Sequence, residues 1–266
     1  MVSGIMIILT GHKGLIGLKL YEELSRQHEM FGIDEQTGGR CEDMSSLVEL
    51  PEPPEMIIHS AAHCFIKRVT ADPSQALQNI LMTFSALEFC RTSECKKFVY
   101  FSSSRIEHKE LHNPYIASKR ASEELVMTYA ECYGIEYVII RPETIWGYSY
   151  DNDRVMIKWI EAAKKNEDIY VYGSPEKELS PLHVDTFTPI ATDIMENFDS
   201  HKGRIYTVSG KVRKVQDIID IIKQETGSGS NVVYKEPEPT QPQVCLAPNI
   251  EGEDDLRMKV REAANS

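Results

Sequence analysis

Six short apolar runs, separated by longer segments of helical period, most strongly constrain how this chain can fold. Such runs are typical of strands buried on both faces, as in a parallel sheet covered by helices. The predicted strands are Ile5–Leu9, Glu29–Ile33, Met56–His59, Lys97–Phe101, Glu136–Ile140 and Ile205–Val208, and the predicted helices lie near Leu15–Gln27, Pro73–Arg91 and Tyr115–Tyr133. The alternation predicts an α/β fold with a doubly wound parallel sheet.

The overall charge and the cysteine usage restrict the possible partners. Acidic residues outnumber basic ones by 41 to 29, and no basic stripe offsets the net charge of −12. This argues against binding to nucleic acid or to an anionic membrane. The run Ile5–Leu9 is too short to span a bilayer and lacks a basic leader. The six cysteines form no C-x-x-C pair and show no zinc-like spacing with histidine, so we expect free thiols, no metal site and a cytoplasmic protein.

A glycine turn follows the first predicted strand and opens the first predicted helix. Gly11, Gly14 and Gly17 would let the backbone turn tightly and approach a pyrophosphate, which the helix N-terminus then faces. We therefore assign the turn to a dinucleotide, with Gly11, His12, Lys13, Gly14, Leu15, Ile16 and Gly17 as its residues. The spacing G-x-x-G-x-x-G differs from the usual G-x-G-x-x-G, and a turn needed only for packing is the alternative.

Asp34 ends the second predicted strand, about 20 residues beyond Gly14, where a carboxylate accepts hydrogen bonds from ribose hydroxyls. A carboxylate there repels a 2′-phosphate, which favours NAD over NADP. Two alternatives stay open: Asp34 could be an ordinary turn residue before Gly38 and Gly39, and Arg40 leaves NADP possible.

A candidate catalytic group follows the fourth predicted strand. Ser102, Ser103 and Ser104 lie at the carboxyl end of that strand, where open α/β sheets bind their ligands. Tyr115 and Lys119, four apart on a predicted helix, share a face, so the lysine charge would favour the tyrosine phenolate as a base. Each feature alone has an alternative: the serines could satisfy a polar strand end, and the Tyr–Lys spacing could arise by chance.

Residues 1–141 are predicted to form an NAD-binding Rossmann domain. From about Arg141 onward, Pro142, Pro175, Pro181 and Pro189 interrupt the alternation. Residues 142–266 are therefore predicted to form a small, abbreviated substrate-binding portion, apart from a strand near 204–209 that returns to the Rossmann sheet.

Ordered motifs along residues 5–210 resemble the extended short-chain dehydrogenase/reductases, specifically the NAD-dependent sugar-nucleotide epimerase/dehydratase family. The matching segments are Thr10–Gly17, Asp34, Asp43-Met44, His59–Ala62, Asn79, Phe98–Ser104, Pro114–Lys119, Arg141-Pro142, Trp146-Gly147 and His183–Asp185. The resemblance implies that Tyr115 is the acid/base, that Lys119 supports it and binds the nicotinamide ribose, and that Ser104, with Ser103 as the alternative, holds the reacting oxygen. It also assigns to the cofactor site Asp43, Met44, Ser60, Ala61, Ala62, Asn79, Arg141 and Pro142.

The substrate residues expected from this resemblance are Cys64, Ser104, Arg105, Glu143, Thr144, Lys177 and His183. Departures from the family pattern narrow the reaction. Arg105-Ile106 stands where dehydratases carry an Asp-Glu pair, so a 4,6-dehydratase is not expected. Leu179 replaces a common arginine, for which the nearby Lys177 could substitute as a phosphate partner.

The predicted function is NAD-dependent epimerisation of a nucleoside-diphosphate sugar or related small molecule, at C4, through a transient 4-keto sugar. An NAD(P)H-dependent ketosugar reductase and a non-catalytic dinucleotide-binding regulator are the alternatives. The helices near Pro73–Arg91 and Tyr115–Tyr133 correspond to those that build the family's dimer interface, so the resemblance also implies a homodimer.

Overall fold

The computed structural model describes residues 4–44, 50, 52–238 and 241–266. The chain divides into two compact units, which we call the first and second units. The first comprises Met1–Pro142 and Thr188–Thr207, and the second comprises Glu143–Phe187 and Val208–Ser266.

The elements alternate along the first half of the chain as the apolar runs predict. The strands are β1 (Met6–Thr10), β2 (Glu29–Ile33), β3 (Met56–His59), β4 (Lys97–Phe101), β5 (Glu136–Pro142), β6 (Thr144–Trp146), β7 (Ile169–Tyr172), β8 (Glu178–Leu179), β9 (Pro181–His183), β10 (Arg204–Ser209), β11 (Arg213–Lys214), β12 (Val232–Lys235) and β13 (Ile250–Glu251). The α-helices are α1 (Leu15–Leu24), α2 (Ile66–Ala71), α3 (Ser74–Thr92), α4 (Pro114–Tyr133), α5 (Val155–Lys164), α6 (Val184–Glu196), α7 (Phe198–His201), α8 (Val215–Thr226) and α9 (Leu256–Asn265). Short 3₁₀ helices cover Glu35–Thr37 and Ser104–Glu107.

A parallel sheet of seven strands carries the fold, in the order β13-β10-β5-β4-β3-β1-β2. All six predicted strands belong to it, which confirms the predicted α/β class. Central strands are buried on both faces: the consecutive residues Ile57 and Ile58 of β3, and Phe98 and Val99 of β4, are all inaccessible to solvent. Burial of such apolar surface is the main force that assembles the sheet and its helices. The strand order reverses between β1 and β3, so the carboxyl ends of these two strands form the topological switch point where doubly wound sheets bind ligands.

The second unit has a core of its own. Helices α5, α8 and α9 bury apolar residues such as Ile160, Ile219 and Val260 together with Trp146. Small two-stranded pairings complete this unit: β6 with β9, β7 with β12, and β8 with β11. Across the described ranges, no helix combines the length and apolar character required to cross a membrane.

Candidate active site

The glycine turn lies at the carboxyl end of β1, where two glycines permit a close backbone approach. Gly11 has a φ of +74°, and a Cβ there would stand 2.7 Å from the backbone nitrogen of Ala61. A Cβ on Gly17 would overlap the carbonyl oxygen of Gly11. The turn therefore fits tightly against the segment after β3, as a cradle for a pyrophosphate requires.

Helix α1 begins at this turn with a glycine cap. Gly14 is the N-cap, and in the described chain no side chain caps the first turn. The first N–H groups of a helix have no partner within the helix, and they attract anions. Of the other turn residues, Leu15 is buried and Ile16 is half-buried, while the His12 ring packs directly over Gly32 of β2. The turn residues thus fit the diphosphate of a bound dinucleotide.

Asp34 is held beside the turn by two backbone N–H groups. Its carboxylate accepts hydrogen bonds of 3.0 Å from the N–H groups of Lys13 and Gln36. The side chain is only 6% exposed. A cleft of about 260 Å³ is lined by residues on either side of Asp34 in the sequence, including Ile33 and Thr37, and by Arg40, Asp43 and Met44. The position suits the adenosine half of NAD, although the Met44 side chain itself belongs to the hydrophobic core.

The segment after β3 is fixed by Asn79 of α3. The Asn79 amide accepts a 2.8 Å hydrogen bond from the N–H of His63 and donates to the carbonyl of His63 and to the Ser118 hydroxyl. Ser60, Ala61 and Ala62, all predicted to line the cofactor, are half-buried in this segment, and Cys64 after them is exposed. Asn79 therefore joins the cofactor segment to helix α4.

His59 ends β3 within a buried polar chain. Its Nδ1 lies 2.7 Å from the Thr10 hydroxyl and its Nε2 lies 3.1 Å from the Thr83 hydroxyl. Burial, with the Lys119 charge as a smaller contribution, lowers the pKa of His59 to about 3. The imidazole is therefore neutral and serves to connect β1, β3 and α3 at the switch point.

Tyr115 and Lys119 stand one turn apart at the start of α4. The Asn113 side chain caps this helix by accepting a 2.8 Å hydrogen bond from the Ile116 N–H. Both candidate catalytic side chains are buried, with exposures of 6% for Tyr115 and 3% for Lys119. Burial lowers the pKa of Lys119 to about 8, while Cys64 and Glu123 act in the opposite direction.

Among the three serines of this run, one hydroxyl forms a hydrogen bond within the described residues and two do not. Ser103 caps the 3₁₀ helix Ser104–Glu107 and accepts from the Arg105 N–H. The Oγ atoms of Ser102 and Ser104 are buried and have no hydrogen-bond partner among the described residues. A buried hydroxyl without a partner is costly, and a bound substrate oxygen would satisfy it. The geometry therefore favours Ser104 over Ser103 as the substrate contact.

Arg141, which the resemblance assigned to the cofactor, directs its guanidinium to carboxylates. It donates to both oxygens of Glu123, at 2.8 and 2.6 Å, and to Glu107 at 3.0 Å. These bonds, first of all those to Glu123, raise the pKa of Arg141. Pro142 follows it at the end of β5. Glu107 and Glu123 were missed in the sequence analysis, where only the four-residue step from Lys119 to Glu123 could have indicated a shared face.

The second unit contains the remaining predicted substrate residues. Strands β6 and β9 pair Trp146 with His183, whose rings meet edge to face with centroids 4.7 Å apart. The Oγ1 of Thr144 and the Nε1 of Trp146 are buried without a partner in the part of the chain that the structure describes. The Lys177 ammonium donates to the Tyr172 carbonyl, and Glu143 is half-buried beside Thr144. Thr144, Trp146 and His183 lie on one face of this strand pair, since side chains alternate along a strand.

Comparisons with known proteins show which proteins this chain resembles. Residues 7–209 match the model of the NAD dependent epimerase/dehydratase family. A putative UDP-glucose 4-epimerase of Methanocaldococcus jannaschii is 25% identical over 87% of this chain and 86% of its own. The UDP-glucose 4-epimerase of Thermotoga maritima, solved with UDP-glucose, superposes with a TM-score of 0.86 at 19% identity, over 98% of both chains. That of Thermus thermophilus, solved with NAD, gives a TM-score of 0.82 at 20% identity, again over 98% of both.

The match to the family model covers more than half of the chain. The chain belongs to the NAD-dependent epimerase/dehydratase family, and its cofactor is NAD.

Proposed function

We propose that this protein is an NAD-dependent 4-epimerase of a nucleoside-diphosphate sugar. The observation that carries the proposal is the burial of Tyr115 and Lys119 side by side on α4, with Lys119 bonded to the end of β4. The names of its relatives support this reaction, because several are UDP-sugar 4-epimerases.

Three side chains would perform the proton chemistry. The Tyr115 phenolate removes the proton of the C4 hydroxyl, and the positive charge of Lys119 favours this phenolate. The Ser104 hydroxyl donates a hydrogen bond to the same sugar oxygen. NAD held by the glycine turn and Asp34 would supply a reversible hydride acceptor at C4, from which the hydride could return to the opposite face of the 4-keto sugar. Tyr115 then gives its proton back to the oxygen, so the centre is inverted and no cofactor is consumed.

Dehydration is disfavoured by the two residues immediately after the serine run. Expelling water from the sugar needs an added acid and base, whereas this chain places Arg105 and Ile106 there. Ile106 is buried in an apolar cluster that also includes Tyr115. An epimerase or a ketosugar reductase needs no further acid.

The second unit is proposed to hold the nucleotide sugar, in line with the expected substrate-binding portion 142–266. Thr144 and His183 share a face of the β6–β9 pair, and the unpartnered Thr144 hydroxyl there is available to a ligand oxygen. Lys177 provides a cation that could meet a phosphate.

We also propose that the protein is a cytoplasmic homodimer. On α3, Leu77, Leu81 and Phe84 are spaced four and three apart and are 59%, 45% and 46% exposed. Such an apolar stripe is typical of a surface covered by a second chain. The six cysteines are all free, as expected of a protein from a reducing compartment.

Turnover on purified protein tests the function. Mass spectrometry of the released cofactor should identify NAD, and UDP-, GDP-, CDP- and dTDP-sugars should be screened by thermal shift, since a substrate raises the melting temperature with concentration. Tyr115→Phe should abolish C4 epimerisation while NAD remains bound. Net oxidation of added NADPH with a ketosugar would instead identify a reductase. Bound NAD with no turnover, and a biological role that survives Tyr115→Phe, would identify a regulator.

A further inference from the structure

The short chain segment between Ser104 and Tyr115 is fixed by an arginine of the catalytic helix. Arg120, the residue after Lys119, donates hydrogen bonds to the carbonyls of Ile106 and His108 at 3.1 and 3.0 Å, with a longer bond to Leu111. One guanidinium thus satisfies several backbone acceptors of this segment. These bonds hold the segment from within the first unit.

Glu107 provides a second anchor for the same segment. It is the last residue of the 3₁₀ helix that begins with Ser104. Its carboxylate receives a 3.0 Å hydrogen bond from Arg141 and a further hydrogen bond from the Thr207 hydroxyl. Glu107 therefore connects the 3₁₀ helix that begins at Ser104 to the ends of β5 and β10.

The Arg141 guanidinium also contacts the catalytic helix, α4. Arg141 pairs through two hydrogen bonds with Glu123, which is 4% exposed and lies one turn beyond Lys119 and two turns beyond Tyr115. A bidentate arginine pair restricts both position and angle. Arg141 thus joins the element that carries Ser104 to the face of α4 that carries Tyr115 and Lys119.

Ser104 depends on the Glu107–Arg141–Glu123 connection more than Ser103 does. The hydroxyl of Ser104 has no partner among the described residues, so no side-chain bond of its own holds it. Its place relative to Tyr115 is set by the turn, and Glu107 holds the far end of that turn. We propose that Glu107 is a positioning residue, which acts through Arg141 and Glu123 to hold Ser104 at the distance from Tyr115 that proton transfer requires.

This inference rests on the proposed epimerase function, and Glu107→Gln tests it. The substitution keeps the size of the side chain and removes its charge. We expect kcat to fall about tenfold, because displacements of an ångström can cost up to 100-fold in rate, while KM changes less than about twofold and NAD stays bound. Thr207→Val should also lower kcat. In the Glu107→Gln background it should cause no further loss of kcat, since both changes release the same carboxylate. Glu107→Asp, which restores the charge, should recover part of the rate.

Glu136→Gln is the matched control. Glu136 begins β5, the strand that has Arg141 at its other end, and forms an exposed 2.6 Å ion pair with Lys202. This variant should leave kcat unchanged. Unchanged kcat in Glu107→Gln, a rise in KM at constant kcat, or a rate loss equal to that of Glu136→Gln would each reject the positioning role.

Hydrogen–deuterium exchange on the NAD-bound protein, without any sugar, provides a readout that does not depend on turnover. Glu107→Gln should speed exchange in residues 104–111 and leave α3 unchanged. Absence of this local change would overturn the inference even if the enzyme is active. If wild type turns over no sugar nucleotide, the function fails, while the exchange result still decides whether Glu107 anchors the turn.

Discussion

The Lys119 ammonium donates a 2.7 Å hydrogen bond to the carbonyl oxygen of Phe101. Phe101 is the last residue of β4, immediately before the serine run, so this bond joins helix α4 to the strand that precedes the serines. The ammonium also lies 4.8 Å from the centre of the Tyr100 ring, within the range of a cation–π contact. One buried charge therefore links the start of α4, which carries Tyr115 and Lys119, to the end of β4.

Lys119→Met should remove turnover without lowering the melting temperature at pH 7. Burial lowers the folded-state pKa of Lys119 to about 8, against roughly 10.4 in an unfolded chain. Folding therefore opposes the charged form by ~3 kcal/mol at neutral pH, and the wild type should gain that stability as pH rises from about 8 to about 10.4. The variant should not gain it. Lys158→Met removes an exposed lysine from α5 and is the control, with little effect on stability or turnover. A large loss of stability in Lys119→Met alone would contradict this account.

Protonation of His59 should destabilise the protein in mild acid. The folded-state pKa is about 3, whereas an unfolded histidine titrates near ~6.5. The unfolded chain therefore binds more protons between these values, and stability is lost as pH falls below about 6.5, by ~2 kcal/mol at pH 5. Urea unfolding of wild type and His59→Gln at pH 7 and pH 5 should show this extra loss in wild type only. An NMR titration of the His59 ring offers an independent check, and protonation above pH 5 would refute the prediction.

Features that depend on neighbouring residues could be predicted from the sequence. The apolar runs predicted six of the seven strands of the main sheet, and the four-residue step from Tyr115 to Lys119 lies within one helix. The seventh strand, β13, has only two residues and pairs with Val208 and Ser209. A run that short has no detectable period, so pairing in space alone reveals it.

Relationships between distant residues could not be predicted. Glu107 and Thr207 are 100 positions apart, yet the hydroxyl of one donates to the carboxylate of the other. The family resemblance ranks Ser104 ahead of Ser103, but spacing alone does not separate adjacent serines, and only the structure shows that Ser103 caps a 3₁₀ helix. Tertiary contacts, rather than spacing, therefore show which of the hydroxyls has a partner within the protein.

Asp34→Asn should weaken NAD binding by about tenfold or more, since hydrogen bonds to a charged group contribute roughly 1.5–3 kcal/mol each. The loss of charge should also narrow the preference for NAD over NADP, because the carboxylate that repels a 2′-phosphate is gone. Titration of each cofactor against apo protein measures both effects. Glu35→Gln, an exposed neighbour in the following 3₁₀ helix, is the control and should bind NAD as wild type does. Equal NAD affinities in wild type and Asp34→Asn would exclude a ribose contact by this carboxylate.

Leu81→Glu should convert the proposed dimer into monomers. Leu81 lies at the middle of the exposed α3 stripe formed with Leu77 and Phe84, and a carboxylate buried between two copies would be strongly unfavourable. Light scattering after size-exclusion chromatography should show half the wild-type mass, with a circular dichroism spectrum that is unchanged because the substituted position is already exposed in a single chain. Met258→Glu, on α9 and 52% exposed, introduces the same charge outside this stripe and should leave the mass unchanged. A wild type that is monomeric at micromolar concentration, or a Leu81→Glu variant that still dimerises, would show that this face is not the interface.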